Sequence, residues 1–516
     1  MPKKLITLIS VFLIMGLVFT GAGLVNEASA GSPKRLQVAM ISEPASLDVH
    51  LVPDVPSYWV IEQTGNRLVR FNESMELEPE LATSWEWIDD LTIEFTLREG
   101  VTFHNGEPFT AQDVKFTLER RLDPDLGSPN MRFVQEIDLD TIEVIDDYTI
   151  RFSTSRPFAP ILNNLAHSSG VILNQKAVEQ YGDEYGQNPV GTGPFKFVEW
   201  SSGDYVLLER YEDYWEGPAK VDELQFRFIE QASNRTIELE TGRVHIAEDI
   251  APSDLDRIDN HPNITLLRDL DLMVSYAGMN NKREPFNDVR VRQAMNYAVD
   301  TEALVEAVYE GLGQKAQAPV NYTILNPGDQ AGEIKQYGFD PEKAKQLLAE
   351  AGYPDGFTFT AITDPFDQRV NSAEIVQAYL SQIGVTMNIE IVEWSVLLDR
   401  AGNRGDYDMM FLSWTSSSGD PEMATRPFYG GAHGAAGNRV WYQNDRVDEL
   451  LELGMQEPEW EQRWEYYMEA QKIIAEEAPW IFIQFGEQAI GVRNEVTGFE
   501  IHPNSRHRFH KVDIVN

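Results

Sequence analysis

The sequence predicts an α/β protein, and three observations carry that reading. Two stretches of strict apolar/polar alternation around Asp-Asp turns mark half-buried antiparallel strands. A strand–helix–strand succession over 357–392 implies a parallel pair, because parallel neighbours need a crossover. The 516 residues, 42% hydrophobic and 24% charged, form an ordinary globular composition with volume for several cores.

In chain order, Lys3 and Lys4 precede an apolar run from Leu5 to Val25, followed by Ala28-Ser29-Ala30. That is the layout of a secretory signal peptide cleaved after Ala30. Ser10, Gly16, Thr20 and Gly21 dilute the run, which favours cleavage over a membrane anchor. The expectation is an exported, periplasmic or extracellular protein, and the lack of Cys leaves no thiol for a lipid anchor.

Arg35–Ile41 reads as a first strand, ended by Glu43-Pro44. Thr83–Ile88 and Leu91–Leu97 form one hairpin about Asp89-Asp90, and Thr141–Ile145 and Tyr148–Phe152 another about Asp146-Asp147. With a helix over Thr110–Arg120, they make a β-rich unit of about 66–185. From about residue 285 helices dominate. Asn287 or Asp288 caps one bearing Val291, Ala294, Met295 and Ala298 on one face, and Asp300-Thr301 starts another that Gly311 ends. Asp340-Pro341 is an N-cap followed by an N1 proline, with Gly352 as the stop. Strand Phe357–Ile362, helix Ala373–Ile383 and strand Val385–Val392 form the parallel unit, then a helical stretch Leu450–Glu477 leads into strand Trp480–Phe485.

Charge and composition exclude several functions. Eighty-three acidic against 42 basic residues give a net −41, which repels nucleic acid. Only 14 of the cations are Lys, and a carboxylate-rich, Lys-poor surface suggests a high-salt habitat. No Cys means no thiolate metal site, disulfide or cysteine nucleophile. Phosphate-loop, dinucleotide, zinc-protease and serine-hydrolase motifs are missing, and no resident cofactor or metal is expected. His507-x-x-His510 comes near a metal spacing but reads as a solvated chain end; His433 lies in a glycine loop, 430–434. The most informative segment is Trp414-Thr-Ser-Ser-Ser-Gly-Asp-Pro421 after the apolar strand Tyr407–Leu412. Hydroxyls and an aromatic leaving the end of a parallel strand are a typical setting for a small ligand, or else a surface loop with a packed Trp.

Several segments then follow one family's order: Leu81-Ala-Thr-Ser-Trp-Glu-Trp87, Phe95 to Glu119 with His104-Asn-Gly-Glu-Pro-Phe-Thr-Ala-Gln-Asp113, Gly191-Thr-Gly-Pro-Phe-Lys-Phe197, Tyr211-Glu-Asp-Tyr-Trp215, Phe286 to Asp300, Asp340-Pro-Glu-Lys-Ala344 and Ala478-Pro-Trp480. Over residues 35–515 the chain resembles the extracellular solute-binding proteins of peptide- and nickel-type ABC importers, family 5. The resemblance implies a two-lobed periplasmic binding protein-like fold of large type II, with lobe I at 31–272 and 487–516 carrying the β-rich subdomain, and lobe II at 273–486. It implies no catalysis, a likeness to monomeric binders, and two partners: a small, peptide-like solute and a membrane permease. Ligand contacts expected from it are Tyr58, Trp59, Tyr276, Arg369, Trp414, Ser416, Ser417 and Asp420, whereas His104-Asn-Gly106 and Gly191-Thr-Gly193 are scaffold.

In dipeptide-binding members a carboxylate stands three residues beyond the loop Trp and an Arg about 21 residues before the helix-ending Gly. Here those positions are Ser417 and Thr363. With both charges missing, the Ser-rich loop and Arg426-Pro-Phe428 look closer to the glutathione-binding branch. The competing functions are a secreted hydrolase and a periplasmic chaperone or sensor-type binding protein.

Overall fold

A computed structural model describes residues 33–321, 333–434 and 437–515; the signal-peptide reading of 1–30 lies outside them. Local chemistry sets most boundaries. Thr110 and Asp113 form a reciprocal capping box at the start of helix Ala111–Leu122, satisfying two backbone N–H groups that the helix itself leaves unpaired. Asp288, Asp300 and Asp340 cap Val289–Ala298, Thr301–Tyr309 and Pro341–Glu350. The helix before Gly311 stops at Tyr309, with Glu310 already left-handed at φ 50°.

Helices Val55–Thr64, Asp445–Gln456 and Trp460–Glu477 complete the frame. The helical stretch Leu450–Glu477 is therefore interrupted. Pro458 has no N–H to give to the ladder, and the chain leaves helical geometry between Gln456 and Trp460.

Both Asp-Asp hairpins form and join in a four-stranded antiparallel sheet, in which Ala82–Trp87 and Glu143–Asp146 are the edges and Thr92–Leu97 and Thr149–Ser153 the centre. A second sheet has eleven strands. At one end, Thr358–Thr363 runs parallel to Thr386–Ile391 and Met409–Thr415, as the crossover helix Asp367–Ser381 requires. At the other end Arg35–Met40 runs parallel to Glu223–Phe228 and Ile246–Ala247. Two long antiparallel strands, Ile264–Met279 and Trp480–Arg493, occupy the middle and pair along most of their length. Their register shifts between Leu270 and Val274, where three residues face one on the partner strand, a β-bulge that bends the ladder.

Separate cores flank this middle. Leu36, Val38, Phe226 and Phe509 are buried together at one end, and Met295, Phe359, Val376 and Phe411 at the other. The expectation of a solvated chain end is corrected. Phe509 and Val512 are buried in the first of these cores, His507 is 1% exposed and packs edge-on against Trp59, and His510 Nε2 donates to the Gly217 carbonyl. Apolar residues at 509 and 512 carry this segment inward, and its imidazoles follow. Among the described residues no cluster of His, Asp and Glu could hold a metal.

Candidate functional site

The loop after Met409–Thr415 is the bridge between the two ends of the molecule. Ser416 N donates to the Leu272 carbonyl at 3.0 Å, next to the bulge. Gly419 turns the chain at φ +66°, a left-handed conformation that favours glycine, and lies against Met75 and Phe71 of the β-rich subdomain. Ala159 N donates to the Met455 carbonyl at 2.8 Å across the same contact. Two cavities open beside it. One of about 450 Å³ is lined by Trp59, Asp271, Phe366, Thr415 and Arg506, and another of about 240 Å³ by Arg132, Phe158, Glu422, Arg426 and Tyr429.

Each expected contact residue can be placed against these cavities. Trp59 is buried on helix Val55–Thr64, donates its indole N–H to the Ser505 carbonyl at 2.8 Å and forms a wall of the larger cavity. Tyr58, one residue earlier, points into the interior: its hydroxyl donates to the Val52 carbonyl at 2.8 Å, and the Arg506 guanidinium covers its ring at 5.0 Å. Burial raises its phenol pKa, against the pull of Arg506 and Arg121. Tyr276 sits on the long strand stacked on Trp480 with ring centroids 3.4 Å apart, and burial pushes its pKa to about 12. Trp414 is half-buried, donates to the Met423 carbonyl at 2.6 Å and lies under Arg439. Ser416 is buried, Ser417 half-buried, and Ser418 Oγ is buried without a partner.

The two charged candidates are already engaged. Arg369 donates through Nη1 to both oxygens of Asp364, at 2.9 and 2.8 Å, and lies over Phe366 and Trp394. Asp420 is fully buried; Arg463 Nη2 donates to both its oxygens at 2.8 Å, and it caps helix Pro421–Thr425 through Glu422 N. Thr363 is buried, with its hydroxyl donating to the Asp364 carbonyl. Of the expected contacts the structure thus puts Trp59 on a cavity wall, with Thr415 of the Trp414 loop beside it, while Trp414, Ser416, Ser417 and Arg369 stand outside both linings and Tyr58, Tyr276 and Asp420 lie in the surrounding core.

The scaffold motifs meet each other away from this region. His104 Nε2 donates to the Gly193 carbonyl at 3.0 Å, and burial pushes that imidazole down to about 4.

Sequence reasoning named Arg369 but passed over the other arginines. Arg121, Arg132 and Arg506 surround Tyr58 closely enough to act on its hydroxyl, and Arg439 and Arg369 act likewise on Tyr276. Of their segments only His507-x-x-His510, next to Arg506, draws notice in the sequence, where it reads as a solvated chain end.

Three comparisons with known proteins extend this geometry. Residues 76–436 match the model of "Bacterial extracellular solute-binding proteins, family 5 Middle". The chain is 32% identical to heme-binding protein A of Haemophilus influenzae, over 95% of this chain and 94% of that one. It is 30% identical to the glutathione-binding protein of Pectobacterium atrosepticum, over 95% and 97%. Among solved structures it is similar to the ABC transporter-associated periplasmic binding protein DppA from Helicobacter pylori in complex with the peptide STSA, with a TM-score of 0.80, 31% identity, and coverage of 93% of this chain and 98% of that one.

Proposed function

The chain belongs to the extracellular solute-binding proteins of family 5, and from that premise we propose that it captures a small, polar, peptide-like solute between two lobes and delivers it to an ABC permease. The observation that carries the proposal is the pair of cavities beside the Trp414 loop, the larger lined by Met40 and Trp59 on one side and Phe366 and Thr415 on the other, the smaller by Arg132 and Phe158 facing Glu422 and Arg426. A ligand there gains its full set of contacts only when the lobes close, so binding shifts an open–closed equilibrium that the permease reads.

In this reading lobe I comprises 31–272 and 487–516, with the β-rich subdomain of about 66–185, and lobe II 273–486; the bulged strands join them. Trp59, Trp414, Ser417 and Arg369 contact the solute, while Tyr58, Tyr276, Ser416 and Asp420 support the walls from behind. Because Ser417 and Thr363 bring no charge, the solute is not held as a simple dipeptide by both termini; a modified peptide such as glutathione suits the site better. The protein works as an exported monomer, free after cleavage at Ala30, and the excess of carboxylates adapts it to salt.

Native mass spectrometry of the purified protein tests the proposal. The expected result is a bound species below about 1 kDa that denaturation releases, since cavities of this size enclose molecules of drug-like dimensions. Protein that carries nothing and whose melting is unmoved by peptides, glutathione, haem and metal chelates counts against it. Unfolding in low and in molar salt tests the adaptation, because at about 1 M the screening length falls to ~3 Å and self-repulsion should fade.

A further inference from the structure

The larger cavity combines apolar walls with an excess of carboxyl groups. Met40, Ile41, Trp59, Leu272, Met273 and Phe366 supply the apolar surface, and Phe366 is 51% exposed, so much of its ring is left uncovered. Glu248, Asp249, Asp271 and Glu487 share the lining. Two of the four are matched by arginines that are not part of it. Arg235 Nη2 donates to Asp249 at 2.9 Å, and Arg268 donates to both oxygens of Glu487, at 2.7 and 2.9 Å. Asp271 accepts the Met273 backbone N–H at 2.8 Å and forms no ion pair among the described residues.

Glu248 is left uncompensated. It is 8% exposed, and its Oε1 is buried without a hydrogen-bond partner. His507 Nε2 stands 3.4 Å from that oxygen but brings no charge: burial holds the imidazole down to about 3, and its Nδ1 accepts from His502 N at 3.1 Å, which leaves the single ring proton on Nε2. Burial first, then Asp249, pushes the Glu248 pKa well up, while Arg235 pulls it down but is committed to Asp249. Arg506, the one cation among the described lining residues, is turned elsewhere, with its guanidinium over the Tyr58 ring at 5.0 Å and Nη1 on the Asn504 carbonyl. A buried carboxylate without a cation is costly, and a cation carried in by a ligand removes that cost.

We infer that the larger cavity is a subsite for a protonated amine carried on an apolar segment, with the ammonium set against Glu248 and the apolar segment against Trp59 and Phe366. This rests on the transport reading and names the part of the solute that this cavity takes. A carboxylate fits poorly there, because it would meet Glu248 and Asp271 with no free cation beside them. An uncharged polar group leaves Glu248 as it stands and wastes the apolar walls. On the lobe assignment above, Glu248 and Trp59 belong to lobe I and Met273 and Phe366 to lobe II. An amine-bearing apolar group therefore touches all of them only in the closed state, which gives the differential affinity that closure demands.

The test is isothermal calorimetry of the full chain with Leu-Gly-Gly, its deamino analogue 4-methylpentanoyl-Gly-Gly, and Ser-Gly-Gly, in wild type and in Glu248→Gln and Phe366→Ala. Phe366 is exposed, so its truncation leaves the fold intact even if the Glu248 variant is less stable; melting curves verify both. Leu-Gly-Gly is expected to bind about 100-fold tighter than the deamino analogue, which lacks only the charge. It is expected to bind about 10-fold tighter than Ser-Gly-Gly, which lacks the apolar group. Glu248→Gln should cost the two free-amine peptides about 10-fold and leave the deamino analogue unchanged, and Phe366→Ala should reduce the preference for Leu over Ser. Equal binding of Leu-Gly-Gly and its deamino analogue, a preference for Ser-Gly-Gly, or unchanged affinity in Glu248→Gln overturns the inference and leaves the transport reading standing. Binding of none of the three overturns the inference, and the transport reading then falls only if native mass spectrometry also finds no solute.

Discussion

Two groups of arginines lie side by side around helix Val55–Thr64 and are treated oppositely. Arg67 is 2% exposed and fully matched: Nη1 donates to Glu62 Oε1 at 2.7 Å and Nε to Glu80 Oε2 at 3.2 Å, with Ser168 donating to the same Glu62 oxygen and Asn66 to the other oxygen of Glu80. Burial alone would raise the pKa of Glu62, but Arg67, Arg508 and the Ser168 hydroxyl outweigh it and hold it below the usual range. Arg506, close enough to feel both Arg67 and Glu62, has no such match, and neither has Arg121. A buried cation with its carboxylates in place is architecture. Arg506 and Arg121 share that interior and rest on neutral oxygens of Asn504, Asn130 and Ser169 instead.

The sharpest way to break that contrast is to remove the matched cation. Arg67→Met should cost about 3–5 kcal/mol, because it strands Glu62 and Glu80 in the interior; urea denaturation measures it, and a loss under about 1 kcal/mol would erase the distinction between the groups. Next, a saturating solute should add about 2.7 kcal/mol of stability at 100 times its dissociation constant. Heat-denaturation curves read that increment, and a curve unmoved by every solute tried would count against binding.

Third in size is acid. His167 is buried beside Arg506, Arg121 and Arg132, and burial first, then those charges, lowers its pKa well below the usual value. The unfolded chain therefore takes up the proton first. The contribution of His167 is complete above about pH 6.5 and is lost as pH falls toward its depressed folded value, at up to about 1.4 kcal/mol per pH unit. Replacing it by Gln should flatten the stability profile between pH 6.5 and 5, and an unchanged profile would show that the cluster tolerates another positive charge. Smallest is Arg132→Gln, expected to alter stability by no more than about 0.5 kcal/mol in the absence of solute; a larger loss would move Arg132 into the architectural class.

The sequence was legible where local chemistry decides. Asp288, Asp300 and Asp340 cap helices in the structure as their sequence context implies, and the Asp-Asp hairpins and the parallel pair at 358–391 formed. Helix Val55–Thr64 was invisible to periodicity because every residue from Ser57 to Thr64 is buried, which leaves no polar stripe to mark a period. The chain end misled for a related reason: its imidazoles and guanidiniums look like solvent-facing groups until Phe509 and Val512 pull them inward. Of the candidate site, the Trp414 loop could be read from one stretch. The arginines around Tyr58 could not, since Arg121, Arg132 and Arg506 come from separated stretches that only packing brings together.

The bulge in the paired long strands has one more consequence. Leu270 pairs with Glu487 and Val274 with Phe485, so only Gly486 faces Asp271, Leu272 and Met273, and a Cβ on Gly486 would come within 2.4 Å of Asp271 Oδ1. On the two-lobed reading this is a joint whose compliance is built in: it can flex where the ladder is already interrupted, without sacrificing hydrogen bonds on either side. Little of a solute's attraction is then diverted into deforming the protein. A single methyl group at position 486 would crowd the Asp271 carboxylate at that joint.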